Sequence, residues 1–287
     1  MRNPALPEIP ADRKDDLHGM EQANEADLVL FMAGNQFMAM KALVAAFRER
    51  HPEVTRVSYE TLPPGLELKQ ILAGGAWFRG KVLEACPDVY ASVNLKAMER
   101  LAAAEHIRMA DVTCYLHNRL SLMVPEGNPA RVRTVGDLGK ATLRISQPDP
   151  ENEDIGNHIL QMYLDAGGEN LAKRIMEEKR AQGTTIFTRV HHRETPLRIA
   201  LRTVDVGPVW ASEIIGARLE GQAVDEVPPG PELDQRSRVN YYITKMLRSK
   251  NPQNADRFIA FIQSGAASDI YREYGFTPHE HIAGTVA

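Results

Sequence analysis

The chain has 287 residues, of which 43% are hydrophobic and 25% charged, and its formal net charge is -4. That length suits two domains of ~100 to 200 residues each. No apolar run of about 18 residues is present to span a bilayer, and Lys and Arg are scattered rather than gathered into the basic stripe of a nucleic-acid binder, so neither membrane insertion nor nucleic-acid binding is expected.

Residues 1–26 are polar and rich in proline. They offer little apolar surface to offset the entropy of fixing them, so a loosely ordered tail is expected. The segment lacks the apolar core of an export signal, as would both a cytoplasmic chain and an exported chain already trimmed.

From Asp27 the texture changes. "DLVLFMAGN" is a short apolar run ending at Gly34-Asn35, and "QFMAMKALVAAFRERHP" has helical spacing and a proline stop, which reads as strand, tight turn, helix. The pattern repeats with "VTRVSYETL", the turn Pro63-Pro64-Gly65, and the helix "LELKQILAGG" closed by Gly74-Gly75. "CPDVYASVN" and "LKAMERLAAAEHI" give a third strand and helix, and the alternation predicts a parallel α/β sheet. After "NRLSLMVPEGNP" a second unit follows: "VGDLGKATLRISQPDP" as a turn and strand, "ENEDIGNHILQMYLDAGG" as an amphipathic helix ending at Gly167-Gly168, and "AKRIMEEKRAQG" as a charged helix. "TTIFTRVHH" is β-rich, Thr195-Pro196 has the order of an N-cap followed by proline at the first helical position, and "VDVGPVWAS" is the next buried strand. The remainder reads as one strand and two helices.

Four strands thus feed helix starts, at Gly34-Asn35, Pro64-Gly65, Asp154-Ile155-Gly156 and Thr195-Pro196. In open α/β sheets ligands bind beyond the carboxyl ends of strands, where helix N-termini present free N–H groups and the positive end of the helix dipole. Four such turns brought together would suit an anion.

Several motifs point elsewhere and are weak. "GAWFRGKV" satisfies G-x-x-x-x-G-K, but Val82 stands where a nucleotide site needs Ser or Thr, and the motif follows a helix. No G-x-S-x-G elbow is present. Asp88 at a strand start reads as structural, and "HEH" at 279 to 281 as a solvated turn. Cys86 and Cys114 are too few for a disulfide scaffold and lie at no zinc-finger spacing, which leaves one disulfide or two separate thiols.

"FMAGNQFMAMKALVAAF", "LKQILAGG" before "PDVYASVNLKAMERL", "NRLSLMVPEGNP", "ISQPDP" before "DIGNHILQMYLDAGG", "VDVGPVWASE" and "IYREYGF" follow one another in an order that resembles the type II periplasmic solute-binding proteins of ABC importers, most of all the molybdate-binding branch. The resemblance implies a two-lobed α/β fold with two hinge-crossing strands, near "CYLHNRLS" and "SRVNYYIT", which closes on its ligand. Lobe one would hold residues 27–117 and 240–287, and lobe two residues 118–239. It further implies a monomeric, periplasmic or otherwise extracytoplasmic receptor, its export signal already removed. Such a receptor performs no catalysis, needs no cofactor, and passes a small oxyanion such as molybdate, tungstate or sulfate to a membrane permease. The family's contacts then fall on Asn35 with Gln36, on Gly65 and Leu66, on Ile155 and Gly156, between His192 and Thr195, and on Trp210. Pro64 donates nothing, and Trp210 donates but does not accept, so the ligand need not be molybdate.

"TRVHHRETPLRIA" adds His191, His192, Arg193 and Glu194 at the fourth of these places. Neighbours in an extended segment point to opposite faces, so the two histidines do not share one centre unless the chain bends between them. Arg193 suits an oxyanion, whereas Glu194 repels one unless it pairs with Arg193 or faces away. If His191, His192, Glu60 and Glu194 converge, a transition metal is the better ligand, and a metal-dependent enzyme is the rival from another class. A regulatory sensor with the same lobes is a third reading, for which residues 1–26 are too short to supply a DNA-reading helix-turn-helix.

Overall fold

The structure is a computed structural model that describes residues 6–93, 95–151, 153–188 and 194–279. The chain divides into two compact units, the first formed by Met1–His117, Asn240–Glu273 and Thr277–Ala287, the second by Asn118–Val239 and Tyr274–Phe276. In chain order, β1 (Leu17–His18) and β2 (Leu28–Phe31) lead to α1 (Phe37–Arg50), and β3 (Val57–Glu60) leads to α2 (Pro64–Ala73). β4 (Gly75–Phe78) and β5 (Lys81–Glu84) precede β6 (Val89–Ser92), α3 (Leu95–Ala103) and β7 (Thr113–His117). The second unit contains β8 (Leu120–Pro125), β9 (Ile145–Gln147), α4 (Asp154–Lys173), α5 (Lys179–Ala181), β10 (Thr185–Phe187), α6 (Glu194–Ala200), β11 (Gly207–Trp210), α7 (Ala211–Leu219) and β12 (Val224–Val227). β13 (Asn240–Lys245), α8 (Pro252–Ile262), α9 (Gly265–Glu273) and β14 (Thr277–Pro278) return to the first unit.

The first unit is built on a sheet in the order β1-β3-β2-β6-β13-β7-β14. β3, β2 and β6 are parallel, as the strand-helix alternation predicts, and every residue of β2 is buried, as in a strand covered on both faces. The sheet as a whole is mixed, because β13 runs antiparallel to both β6 and β7. α1 buries Ala39, Met40, Leu43 and Phe47, a stripe at helical spacing. Phe47 stands edge-on to Phe258 of α8 with ring centroids 5.2 Å apart. Asp88, fully buried at the start of β6, accepts from Val29 N–H at 2.8 Å, Ser249 Oγ at 2.6 Å and Asn251 N–H at 2.9 Å. It is a structural residue that ties β2 to the segment before α8.

Residues 6–26 correct the expectation of a loose tail. Ile9 N–H donates to the Trp77 carbonyl and Trp77 N–H to the Pro7 carbonyl, both at 2.8 Å, and β1 pairs antiparallel with β3. Ile9 and Met20 are buried in the core of the unit. The segment's few apolar residues are spaced to reach that core, and the sheet edge satisfies its backbone. "GAWFRGKV" forms the β4–β5 hairpin around Arg79 and Gly80, at φ 48° and 81°. Two positive φ values in a two-residue loop match the twist of a hairpin, so this is a β-turn and not a phosphate loop.

In the second unit β9 and β10 are parallel, and β8 is flanked by antiparallel β11 and β12. Its core gathers Met123, Ile199, Val204, Val209, Ile214, Ala217 and Val224. The helix expected to end at Gly167-Gly168 is interrupted there, with Gly168 at φ 65°, and then resumes to Lys173. No helix among the described residues is long and apolar enough to cross a membrane.

Candidate functional site

In the first unit, the turn between β2 and α1 is tight: a Cβ on Gly34 would meet the Thr61 and Leu62 carbonyl oxygens at 3.0 Å. This packing holds Asn35 and Gln36 inside, with exposures of 7% and 0%. Gln36 Oε1 accepts from the phenols of Tyr115 at 2.9 Å and Tyr271 at 2.7 Å. Burial pushes both phenols above the usual tyrosine range, so they stay neutral donors. With the oxygen fixed, the amide Nε2 is buried and has no hydrogen-bond partner among the described residues. Asn35 Nδ2 donates to the Tyr241 hydroxyl, and its buried Oδ1 has no partner among the described residues. Turning that amide over lets Tyr241 donate to Oδ1 and releases Nδ2 as a second donor. Both amides lie at the N-terminus of a 14-residue helix, where the helix dipole favours an anion.

At the second turn Pro64 opens α2 and space around the Gly65 Cα is open. Leu66 N–H is committed to the Pro63 carbonyl at 2.8 Å, so Gly65 N–H is the better donor of the two candidates. Behind this turn lie two buried carboxyls. Glu60 Oε1 accepts from Gln70 Nε2 at 2.8 Å, and Glu67 Oε1 from Leu62 N–H at 3.2 Å. The second oxygen of each is buried without a partner among the described residues. Burial, opposed by Gln70 and reinforced by Asp16, raises Glu60 to about 8, while burial and then the Glu60 charge hold Glu67 well above the carboxylate range. Near neutral pH these groups are therefore largely protonated and do little to repel an anion.

In the second unit, Ile155 is buried in the first turn of α4. Gly156 is required by packing, since a Cβ there would lie 2.5 Å from Pro150 Cα, and its N–H donates to the Glu153 carbonyl at 2.9 Å. Thr188 organises the approach to this helix: its hydroxyl donates to Glu153 and accepts from Asp149 N–H at 3.2 Å. Trp210 ends β11, buried, with its ring 5.7 Å from that of His158.

Thr195 departs from its expected role. α6 already begins at Glu194, and the Thr195 side chain faces inward, with Oγ1 2.8 Å from Ser146 Oγ, instead of capping the helix. Glu194 accepts from Arg198 at 2.6 Å, one turn along the helix. Arg198 also donates to the Phe187 carbonyl at the end of β10. His191, His192 and Arg193 lie outside the described residues. Of the metal-ligand alternative, Glu60 belongs to the first unit and Glu194 to the second, each held by a partner of its own.

The sequence singled out Asn35 and Gln36 without the tyrosines that orient them. Those phenols sit inside the apolar runs "CYLH", "VNYYIT" and "IYREYGF", where a buried hydroxyl must find a partner. Cys86 and Cys114 are free thiols.

No curated protein sequence matches the chain. Among solved structures, the fold is similar to the periplasmic molybdate-binding protein of Azotobacter vinelandii, at 18% identity and a TM-score of 0.69, over 88% of this chain and 100% of that one. The sulfate-binding protein SubI of Mycobacterium tuberculosis is similar at 17% identity and a TM-score of 0.69, over 88% and 86%. Iron-bound HitA of Pseudomonas aeruginosa is similar at 15% identity and a TM-score of 0.62, over 85% and 83%. The model of the bacterial extracellular solute-binding protein family matches residues 28–277, and the chain belongs to that family of receptors, which are not enzymes.

Proposed function

We propose that this protein is a monomeric periplasmic or cell-surface receptor that captures a small oxyanion of the molybdate, tungstate or sulfate class and delivers it to the permease of an ABC importer. The observation that carries this reading is the Gln36 amide. Two neutral phenols fix its oxygen, and its nitrogen is left as a buried donor at the N-terminus of α1. Donors oriented before the ligand arrives give affinity without an ordering cost at the moment of binding. The Asn35 amide and Gly65 N–H add donors in the same unit. Ile155, Gly156, His191, His192, Arg193, Thr195 and Trp210 are the candidates of the remaining turns, to be read in the same titrations. The molybdate and sulfate receptors of similar fold support the ligand class.

A second reading, a cation held by carboxylates, is favoured by the unpartnered oxygens of Glu60 and Glu67. The two differ in their protons: a metal must displace those held by the carboxyls and so binds more tightly as pH rises, whereas the oxyanion reading requires no such displacement. Calorimetry of the full chain against molybdate, tungstate, sulfate, ferric iron and divalent metals decides between them. Saturable heat with an oxyanion is expected, and a metal response with none from any oxyanion overturns the proposal.

A further inference from the structure

The first unit carries a second cluster of ligating side chains, where its C-terminal edge strand joins the sheet. Cys114 and His117 are three positions apart on β7, a spacing that places side chains on opposite faces of a regular strand. β7 is not regular: Tyr242 of β13 pairs with Cys114, but the adjacent Tyr241 pairs with Leu116, so Tyr115 is an extra residue. One inserted residue restores Cys114 and His117 to the same face. The burial follows, since Tyr115 and Leu116 are buried consecutively while Cys114 and His117 on either side are half-buried. β14 then pairs Thr277 with His117, which brings His279, just beyond that strand, to the same place. The three side chains each offer one ligating atom within 4.8 Å of the others.

The orientation of the rings is fixed from behind. Asn240, opposite His117 in the register, sets its Oδ1 2.8 Å from His117 Nδ1. An amide oxygen only accepts, so His117 carries its proton on Nδ1 and presents a lone pair at Nε2. That nitrogen lies 2.7 Å from His279 Nδ1, the separation of two imidazoles sharing a hydrogen. A tetrahedral metal ion in place of that hydrogen, with bonds of about 2.1 Å, needs the nitrogens ~3.4 Å apart, a shift of a fraction of an ångström for two half-buried rings. A histidine ligand whose other nitrogen donates to an oxygen is the usual outer arrangement of metal sites.

We propose that Cys114, His117 and His279 form a transition-metal site of the zinc class, which clips β14 to β7 at the edge of the first unit's sheet. One thiolate and two imidazoles are a borderline-soft donor set suited to tetrahedral zinc, with the fourth position left to water or another ligand. Oxygen-loving magnesium and calcium are poor fits. None of the three residues is a candidate for the oxyanion, so the two proposals fail separately.

The test is titration of the tag-free, chelator-treated full chain with Zn2+ and with Co2+ as a spectroscopic stand-in. One equivalent of Co2+ is expected to give a thiolate-to-metal charge-transfer band, displaced by Zn2+, and Zn2+ is expected to raise the melting temperature. His279→Ala, at the end of an edge strand where the fold is least at risk, weakens Zn2+ binding by about tenfold or more, and Cys114→Ser abolishes the charge-transfer band. Co2+ binding without that band in the wild-type chain, no Zn2+ binding, or unchanged Zn2+ affinity in His279→Ala each overturns the proposal, and the first two do not depend on any variant folding.

Discussion

The Tyr271 phenol donates to Gln36 Oε1 at 2.7 Å across 235 positions of sequence, tying α9 to the turn between β2 and α1. With Tyr115 on the same oxygen, the amide is held in one orientation and its nitrogen is the group left to meet a ligand. Gln36→Glu keeps the acceptor for both phenols but replaces the donor with a carboxylate oxygen. The two phenol donors and the α1 N-terminus favour the ionised form of the new carboxyl, so oxyanion affinity is expected to fall about tenfold or more, through loss of a buried donor and gain of repulsion, and the unfolding midpoint to fall as well, because the carboxylate is desolvated. Tyr271→Phe leaves the turn with one anchor and costs ~1 kcal/mol of stability. Calorimetry with urea titration separates the effects, and unaltered affinity in Gln36→Glu would remove Gln36 from the site.

Glu60 and Glu67 make the first unit sensitive to alkali. The unperturbed carboxyl titrates near 4.5, whereas burial, against the Gln70 hydrogen bond and with Asp16 adding repulsion, takes Glu60 to about 8, and Glu67 is displaced in the same direction. The folded chain therefore keeps protons that the unfolded chain releases. Their contribution is fully present below the unfolded value and is lost as pH rises towards the folded one, with a slope of up to ~1.4 kcal/mol per pH unit for each proton. Urea midpoints measured between about pH 5 and 8 are expected to fall steadily, and Glu60→Gln to flatten the trend. A wild-type midpoint that holds or rises across this window contradicts the assignment.

Asp88 is a sharper case of the same dependence on buried polar groups. Its two oxygens serve the Val29 N–H, the Ser249 hydroxyl and both the N–H and the side-chain amide of Asn251. Asp88→Asn turns one acceptor into a donor facing donors. Several orphaned buried groups at ~1 to 3 kcal/mol each predict a severely destabilised or insoluble first unit. Circular dichroism and solution yield report this directly, and a stable Asp88→Asn protein would show that water satisfies these donors.

The elements were legible where a local rule decides them. "DLVLF" becomes β2 and "PGLELKQILAGG" becomes α2, ending at Gly74 with φ 76°, because apolar period and glycine chirality act within a few residues. The antiparallel return of β13 and the docking of residues 6–26 were not legible, since both depend on which distant edge is left to pair. The same division runs through the site. Asn35 and Gln36 follow from a strand feeding a helix, but the phenols that orient Gln36 come from positions 115 and 271. Cys114 and His117 were not singled out together, because strand alternation puts residues three apart on opposite faces until the bulge at Tyr115 is known. Thr195 was misjudged as a cap because Thr-Pro is a strong local signal, and a tertiary contact with Ser146 overrides it.

That contact gives a final test. Gly207 opens β11 directly against Thr195: a Cβ at 207 would lie 2.3 Å from Thr195 Cγ2 and 3.2 Å from the Ser146 carbonyl oxygen. Gly207→Ala therefore pushes α6 away from β9 and β11, at a cost of ~1 to 3 kcal/mol typical of overpacking. Thr195→Ser removes the obstructing methyl but keeps the hydroxyl that meets Ser146 Oγ at 2.8 Å, so alone it loses only about the packing of one methyl, ~1 kcal/mol. The double variant is expected to be more stable than Gly207→Ala alone, a favourable coupling of ~1 kcal/mol or more readable from a double-mutant cycle of urea midpoints. Strict additivity would mean that the alanine strains the backbone beside Ser146 and that the Thr195 methyl is not what keeps position 207 a glycine.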